Sequence, residues 1–205
     1  MPPFPNLEGF VLVGGKSSRM GRDKALLEVA GRPLVARMAD LLAPIVSRVT
    51  LVGNPQHYAQ FGLPVAADSW PGEGPLGGMV TALDAARAPW CVIVACDLPF
   101  LTADWLRFLC ERATGLGEES DVDAIVPEST RGLEPLCAVY RKACAKPLRA
   151  AFERGIRKVT DALAELKLER IAETEWRAFS PDGSLFRNIN TPEDYDAIRS
   201  RSSPE

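Results

Sequence analysis

Short apolar runs alternate with amphipathic segments along the first two thirds of the chain. The runs typical of buried strands occupy residues 10–13, 48–53, 64–68, 90–97 and 123–128. Between them, apolar residues recur at three- and four-residue steps, which predicts helices over 33–42, 78–87 and 103–114. Because parallel strands need crossover connections, this alternation predicts an α/β fold with a mostly parallel sheet between two layers of helices.

The alternation becomes less regular after residue 123. Residues 136–140 predict one more strand, 142–155 a helix and 158–168 a further helix. The segment that begins at Phe186 predicts a strand followed by a last helix, with Thr191 at the N-cap and Pro192 at the first helical position. No internal repeat or linker-like stretch interrupts the chain, so we expect a single domain over residues 1–205.

The overall composition is that of an ordinary globular protein, with 46% apolar and 25% charged residues. A formal charge of −3 and a pI near 5.4 lack the basic footprint of a nucleic-acid-binding protein, so an anionic ligand would have to be held by local groups. No apolar run approaches the roughly 20 residues that span a bilayer, and the N-terminus has no signal-peptide pattern. We therefore expect a cytoplasmic protein without nucleic-acid or membrane partners.

The five cysteines include no C-x-x-C pair, so neither a disulfide framework nor a thiolate zinc site is expected. Cys137 and Cys144 are predicted to act as small buried hydrophobic residues. His57 is the one histidine of the chain, which excludes a site with several histidine ligands. It is predicted to lie at the surface, although a single histidine could serve a catalytic triad.

The segment after the first predicted strand, residues 14–24, combines glycines with four basic side chains. Glycines let backbone N–H groups approach an anion that Arg and Lys neutralise, so this loop predicts a phosphate cradle. Two common phosphate motifs fail: G-x-x-x-x-G-K-S would need a glycine where Phe10 stands, and G-x-G-x-x-G has no match here. An exposed basic turn without a ligand is the alternative.

Two further segments follow predicted strands. Residues 68–78 contain four glycines and two prolines, which is typical of a shaped loop that could lie along a flat base or serve structure alone. Asp97 ends the strand over 90–97, where its carboxylate could bind Mg²⁺, cap a helix or form a salt bridge. Asp68 has the same ambiguity. Trp70 could stack on a ligand or pack beneath its own loop.

Five segments together resemble the molybdenum cofactor guanylyltransferases, the MobA family of Rossmann-like nucleotidyltransferases. They are LVGGKSSRMGRDK (12–24), DSWPGEGPLGG (68–78), ACDLPF (95–100), EPLCAVY (134–140) and NINTPED (188–194). The first motif is shared with many sugar-phosphate nucleotidyltransferases, and the others narrow the resemblance. It implies the fold of the nucleotide-diphospho-sugar transferases, with a nucleotide-binding part over about 8–115 and an acceptor-binding part over about 120–200.

The resemblance further implies Mg²⁺-dependent transfer of GMP from GTP to the terminal phosphate of molybdopterin, with release of pyrophosphate. Its implied partners also include molybdopterin-synthesis and molybdoenzyme-maturation proteins. Arg19, Lys24 and Asp97 would be catalytic, with Asp97 as the metal ligand. The implied nucleotide-binding residues are Leu12, Val13, Gly14, Gly15, Arg19, Lys24, Asn54, Asp68, Gly77 and Asp97. The implied acceptor-binding residues are Leu98, Pro99, Arg131, Asn188 and Asn190.

Two other readings stay open from the residues. Related cytidylyltransferases have alanine and glycine where this chain has Gly14 and Gly15. The space left by the first glycine favours a purine and hence GTP over CTP. Sugar or polyol phosphates are alternative acceptors. Val13 replaces the alanine usual in the family. Val52 stands where some members have an asparagine, and Asn54, two residues later, could supply the missing amide. These departures are the motivation for a reading of another class, a nucleotide- or cofactor-binding chaperone without turnover.

Overall fold

The computed structural model describes residues 4–14, 23–117 and 119–202. Its strands are β1 (Leu7–Leu12), β2 (Glu28–Val29), β3 (Arg32–Pro33), β4 (Val49–Gly53), β5 (Val65–Ala67), β6 (Trp90–Ala95), β7 (Ala124–Ser129), β8 (Gly132–Leu133), β9 (Cys137–Arg141) and β10 (Leu168–Ile171). Its α-helices are α1 (Leu34–Leu42), α2 (Pro55–Tyr58), α3 (Pro75–Ala85), α4 (Ala103–Gly115), α5 (Ala145–Glu153), α6 (Val159–Ala162), α7 (Glu173–Trp176) and α8 (Pro192–Ser202). Single 3₁₀ turns occupy Lys24–Leu26, Ala59–Phe61, Lys142–Cys144 and Leu163–Glu165.

The central sheet has the strand order β10-β7-β9-β6-β1-β4-β5, with β8 added to β7. β1 pairs in parallel with both β4 and β6, and β4 pairs in parallel with β5. β9 is antiparallel to its neighbours β6 and β7, while β10 is parallel to β7. The predicted α/β class with a mostly parallel sheet is confirmed. The chain passes from β1 to β4 and β5 on one side of β1 and then continues to β6 on its other side. Such a change of direction opens a crevice at the carboxyl ends of these strands.

Both faces of the sheet are covered, which explains why the strands are continuously apolar rather than alternating. Val11 and Val94 pack on one face with residues of α1, α4 and α7, whereas Phe10 and Ile93 pack on the other with α3, α5 and α6. All five cysteines are buried with free thiols, including Cys137 and Cys144 as predicted. Within the described residues, no helix is both long and apolar enough to cross a membrane.

The helices predicted over 33–42, 78–87, 103–114 and 142–155 correspond to α1, α3, α4 and α5, and the last predicted helix to α8. Thr102 caps α4 by accepting a hydrogen bond of 3.3 Å from the Trp105 backbone N–H. Pro192 begins α8, as expected from its missing N–H. These local signals therefore located most helices within a few residues.

Two predictions about the C-terminal third are wrong. The helix expected over 158–168 ends at Ala162, and Leu168–Ile171 forms the edge strand β10 beside β7. Pairing with an open sheet edge outweighs the helical spacing of this short segment. The strand expected before Thr191 is not formed, because Ile189 donates its N–H to the Asp97 carbonyl at 3.1 Å, outside the sheet.

Candidate functional site

A cavity of about 780 Å³ opens at the carboxyl ends of β1, β4 and β6. Crevices at this edge of an open α/β sheet are where ligands usually bind. The residues that line it are Leu12, Val13, Gly14, Asp23, Lys24, Ala25, Val52, Gly53, Asn54, His57, Tyr58, Asp68, Pro71, Gly72, Gly74, Pro75, Gly78, Ala95, Cys96, Asp97, Leu136 and Asn188. The cavity therefore brings together the ends of all three segments that the sequence singled out.

One wall is the end of β1, where backbone rather than side chain faces the cavity. Val13 is only 2% exposed, and its side chain packs in the core with Tyr58. Gly14 follows with φ +118°, a conformation that favours glycine, and no atom of the described residues lies within 4 Å of a built Cβ. The valine in place of the family's alanine is thus absorbed by the core and leaves the backbone groups at this wall.

The end of β4 lies directly against β1. A Cβ on Gly53 would lie 2.3 Å from the Val13 carbonyl oxygen, so this contact requires glycine. Val52 is buried, and Asn54 is exposed and uses its side-chain oxygen to accept a 3.0 Å hydrogen bond from the Gln56 N–H at the start of α2. Asn54 therefore lines the cavity while it caps a helix. His57, on the same helix, is exposed, as predicted, and also lines the cavity.

The loop after β5 is a folded turn rather than a free flap. Asp68 accepts a 2.9 Å hydrogen bond from the Trp70 N–H and also lines the cavity. Trp70 packs on Phe152 of α5, with ring centroids 5.0 Å apart, so it lies beneath its own loop. Gly77 faces Trp70, since a Cβ there would lie 3.0 Å from the Trp70 Cβ, whereas Gly78 lines the cavity.

The charged end of the cavity is built by Lys24 and Asp97. The Lys24 Nζ lies 3.6 Å from an Asp97 carboxylate oxygen and donates a 2.9 Å hydrogen bond to the Asn190 side chain. Both charged side chains are about one-fifth exposed, so their interaction is only partly screened by water. Of the roles open to Asp97 from sequence, the structure forms the salt bridge, while Thr102 caps the following helix.

Burial dominates the electrostatics of Asp97. Loss of hydration raises the pKa of its carboxyl group above the ordinary value of 3.8, and Lys24 and Asn188 oppose this rise. An acidic group that is partly deprived of water but open to a cavity is suited to a cation that arrives with a ligand. The positive charge of such a cation would favour the ionised carboxylate and so oppose the burial-driven rise in the pKa of Asp97.

The residues present fit a substrate-borne Mg²⁺ better than a resident metal ion. Across residues 4–14, 23–117 and 119–202, no three His, Cys, Asp or Glu side chains gather closely enough to hold a metal. Mg²⁺ usually takes only one or two protein carboxylates and completes its shell with waters and substrate phosphates. The Asp97 carboxylate at the cavity fits this requirement, with room beside it for phosphate oxygens.

A second pair at this end was not found from the sequence. Tyr58 donates a 2.6 Å hydrogen bond from its hydroxyl to Asp23, and both residues line the cavity. Asp23 also accepts a 3.0 Å hydrogen bond from the Ala25 N–H and so caps the turn that carries Lys24. The adjacency of Asp23 and Lys24 was visible in the sequence, but the position of Tyr58 depends on the packing of α2.

A smaller cavity of about 310 Å³ adjoins the first, and the two share Pro75, Leu136 and Asn188. Among the predicted acceptor residues, Leu98 and Asn188 line this second cavity. The remaining lining residues are Glu134, Pro135, Cys137, Arg157, Lys158, Val159 and Thr160. The sequence does not predict the polar members of that set, because their proximity depends on packing between segments that are distant in the chain.

The other predicted acceptor residues are placed differently. Asn190 reaches Lys24 rather than the second cavity, and Pro99 is buried beside Leu98. Arg131 donates hydrogen bonds to Glu134 and to the Phe186 carbonyl, and in this way fastens the β7–β8 turn to the segment before α8. The predicted nucleotide residues Gly15 and Arg19 lie outside the described residues.

Comparison with known proteins relates this chain to one family of nucleotidyltransferases. The family described as MobA-like NTP transferase domain matches residues 9–168. A relative from Carboxydothermus hydrogenoformans, named probable molybdenum cofactor guanylyltransferase, is 36% identical over 94% of this chain and 95% of its own length. Another with the same name, from Pelotomaculum thermopropionicum, is 34% identical over 91% of this chain and 88% of its own.

Among solved structures, the chain is similar to molybdopterin-guanine dinucleotide biosynthesis protein A from Archaeoglobus fulgidus. The TM-score is 0.80 at 26% identity, over 95% of this chain and 97% of that one. On its sequence and its fold, this chain belongs to the MobA-like NTP transferase family.

Proposed function

We propose that this protein transfers GMP from GTP to the terminal phosphate of molybdopterin and releases pyrophosphate. The observation that carries the proposal is that two adjoining cavities share Asn188, which lies beside the ion pair of Lys24 and Asp97. Asn188 lines both cavities, and its side chain lowers the pKa of the Asp97 carboxyl group, which in turn faces Lys24. An enzyme that joins two anionic substrates needs its charged groups at the point where their binding sites meet.

The proposed step needs no nucleophilic side chain. An oxygen of the molybdopterin phosphate attacks the α-phosphorus of GTP, the bond from that phosphorus to the β-phosphate oxygen breaks, and pyrophosphate leaves with the electron pair. Lys24 neutralises the triphosphate, and Asn190 and Asp97 hold its ammonium group in place. Mg²⁺, held by Asp97 and the phosphates, would offset the repulsion between the two anions. The larger cavity takes the nucleotide and the smaller one the pterin.

The choice of GTP is supported by the backbone wall at Val13 and Gly14. The absence of a side chain at Gly14 leaves space beside β1 for a purine, and buried Val13 presents backbone groups only. The names of the relatives from C. hydrogenoformans and P. thermopropionicum point to the same nucleotide. A melting-temperature panel with GTP, CTP, ATP and UTP plus Mg²⁺ tests this choice, and the largest stabilisation by CTP would reverse it.

Lys24→Ala tests the transfer itself. We expect kcat for pyrophosphate release from GTP and molybdopterin to fall about 10²- to 10³-fold, the scale of one lost preorganised electrostatic contact. Lys167→Ala is the matched control, because Lys167 also pairs with an aspartate, at 2.6 Å from Asp121, but lines neither cavity. Equal turnover in Lys24→Ala and wild type, or no pyrophosphate release by wild type, would contradict the proposal.

A further inference from the structure

Tyr58 is a buried tyrosine whose hydroxyl faces a single carboxylate. Tyr58 is 2% exposed, and its hydroxyl donates a 2.6 Å hydrogen bond to one oxygen of the Asp23 carboxylate. The ring lies against the end of β4, since a Cβ on Gly53 would approach the ring to 3.0 Å. Tyr58 is therefore anchored to the strand ends that form the backbone wall of the larger cavity.

The second oxygen of Asp23 acts on the backbone that carries Lys24. It accepts a 3.0 Å hydrogen bond from the Ala25 N–H and caps the turn over Lys24–Leu26. Each carboxylate oxygen thus has a separate task, one toward Tyr58 and one toward the residue after Lys24. The chain at Lys24 is consequently held by a bridge that begins at α2.

The bridge keeps the same hydrogen-bond polarity over the working pH range. Burial, followed by the nearby Asp23 carboxylate, raises the pKa of the Tyr58 hydroxyl well above its ordinary value of 10.0. The Tyr58 hydroxyl hence keeps its proton and stays the donor of this hydrogen bond. A hydrogen bond from a buried donor to a carboxylate belongs to the stronger class in proteins.

We propose that Tyr58 is a positioning residue for Lys24, an inference that rests on the proposed transfer function. Its hydroxyl fixes Asp23, Asp23 fixes the turn, and the turn aims the Lys24 ammonium group at the charged end of the cavity. The bridge couples the wall beside the nucleoside to the group that handles the phosphates. A small displacement of such a group lowers the rate because the reacting geometry is lost.

Tyr58→Phe tests the bridge, because the ring that packs on Gly53 is kept and only the hydroxyl is removed. We expect kcat with GTP to fall about 10- to 100-fold, with KM for GTP changed by less than about threefold. In a Lys24→Ala background the same change should alter kcat by less than about twofold, because the bridge acts through Lys24. Equal losses in both backgrounds would overturn the proposal.

Tyr140→Phe is the matched control, since it also removes a buried hydroxyl with a 2.6 Å hydrogen bond, here to the Pro135 carbonyl. Its effect on kcat should be the same with and without Lys24. A comparable rescue of both phenylalanine variants by lowering the temperature would indicate a general loss of stability and overturn the positioning role.

Amide hydrogen exchange gives a readout that does not need turnover. In Tyr58→Phe the Ala25 amide should exchange at least about tenfold faster than in wild type, while amides of β6 stay unchanged. Unchanged exchange at Ala25 overturns the bridge even if wild type is active. If exchange rises at Ala25 but wild type releases no pyrophosphate with any nucleotide, the bridge stands and the proposed function fails.

Discussion

At the residue scale, Asp97 combines a functional position with an unfavourable environment. Its carboxylate is mostly buried at the end of β6, and the loss of hydration outweighs the favourable contacts with Lys24 and Asn188. The pKa of the Asp97 carboxyl group in the folded protein is therefore above 3.8, the value expected for it in the unfolded chain. Folding takes up a proton between these two pKa values, so the contribution of Asp97 to stability falls as the pH rises through that interval.

Asp97→Asn should consequently be more stable than wild type at neutral pH when no ligand is bound, while it loses turnover. We expect no difference below about pH 3.8, a growing difference above it, and a plateau once the folded carboxyl is ionised. The melting temperatures of both proteins over a range of pH measure this difference in stability. In a chain of this size, each kcal/mol gained in the free energy of unfolding raises the melting temperature by about 2–4 °C.

Asp121→Asn is the contrasting variant. The hydrogen bond and charge of Lys167 lower the pKa of this exposed carboxyl, so its removal should bring no gain at neutral pH. A loss of stability in Asp97→Asn at pH 7 would show that the ion pair with Lys24 outweighs the cost of burial.

At the element scale, the site depends on how closely β4 approaches the end of β1. Gly53 ends β4, and the Val13 carbonyl occupies the space that a side chain would need. The Val13 N–H donates to the Val52 carbonyl at 3.0 Å, which continues the β1–β4 pairing beyond the last paired strand residues. The register of two strands thus sets the position of the backbone groups at the cavity wall.

Gly53→Ala should force these strand ends apart. We expect a loss of about 1–3 kcal/mol in the free energy of unfolding, as for overpacking of a filled interior, and a rise in KM for GTP as Val13 moves. Urea unfolding and steady-state kinetics measure the two effects.

Gly115→Ala is the matched control at the end of α4, where a built Cβ meets no atom of residues 4–14, 23–117 or 119–202 within 4 Å. It should be neutral or stabilise by up to about 1 kcal/mol, since alanine is the better helix former. If Gly53→Ala behaved like Gly115→Ala, the wall would be less tightly packed than the 2.3 Å contact implies.

At the scale of the whole molecule, two apolar layers on either side of one sheet enclose every thiol. Cys91 and Cys144 belong to the layer under α3 and α5, whereas Cys96, Cys110 and Cys137 belong to the opposite layer. Burial raises the pKa of Cys91, Cys110, Cys137 and Cys144 to about 12, and that of Cys96 is raised as well. Reactivity of a thiol requires its thiolate, so all five should be inert in the folded protein.

A thiol-specific reagent should therefore modify the native protein no faster than local or global unfolding exposes the buried cysteines. At pH 8 we expect five thiols to react promptly in denaturant, and almost none in buffer over the same time. The denatured sample is the internal control for the number of thiols. Fast modification of one thiol in the native state would reveal local opening at that cysteine, with peptide mapping to identify it.

Much of the fold could be predicted from local patterns. The continuous apolar runs predicted the core strands because both faces of a parallel sheet are buried, and Pro192 marked the start of α8 because its ring fits the first helical position. β10 and the segment around Ile189 could not be predicted in this way. Their conformations depend on partners more than 40 residues away in the chain, at β7 and at Asp97.

The site divides along the same line. Residue types and their spacing were enough to predict glycines and basic residues after the first strand and a carboxylate at the end of the strand over 90–97, and the family resemblance grouped these motifs. The folded structure was needed to show that Gly78 rather than Gly77 faces the cavity, that Trp70 packs on Phe152, and that Tyr58 reaches Asp23. Residue type and spacing set which chemistry a segment can supply, whereas packing between elements that are distant in the chain sets the direction of each side chain.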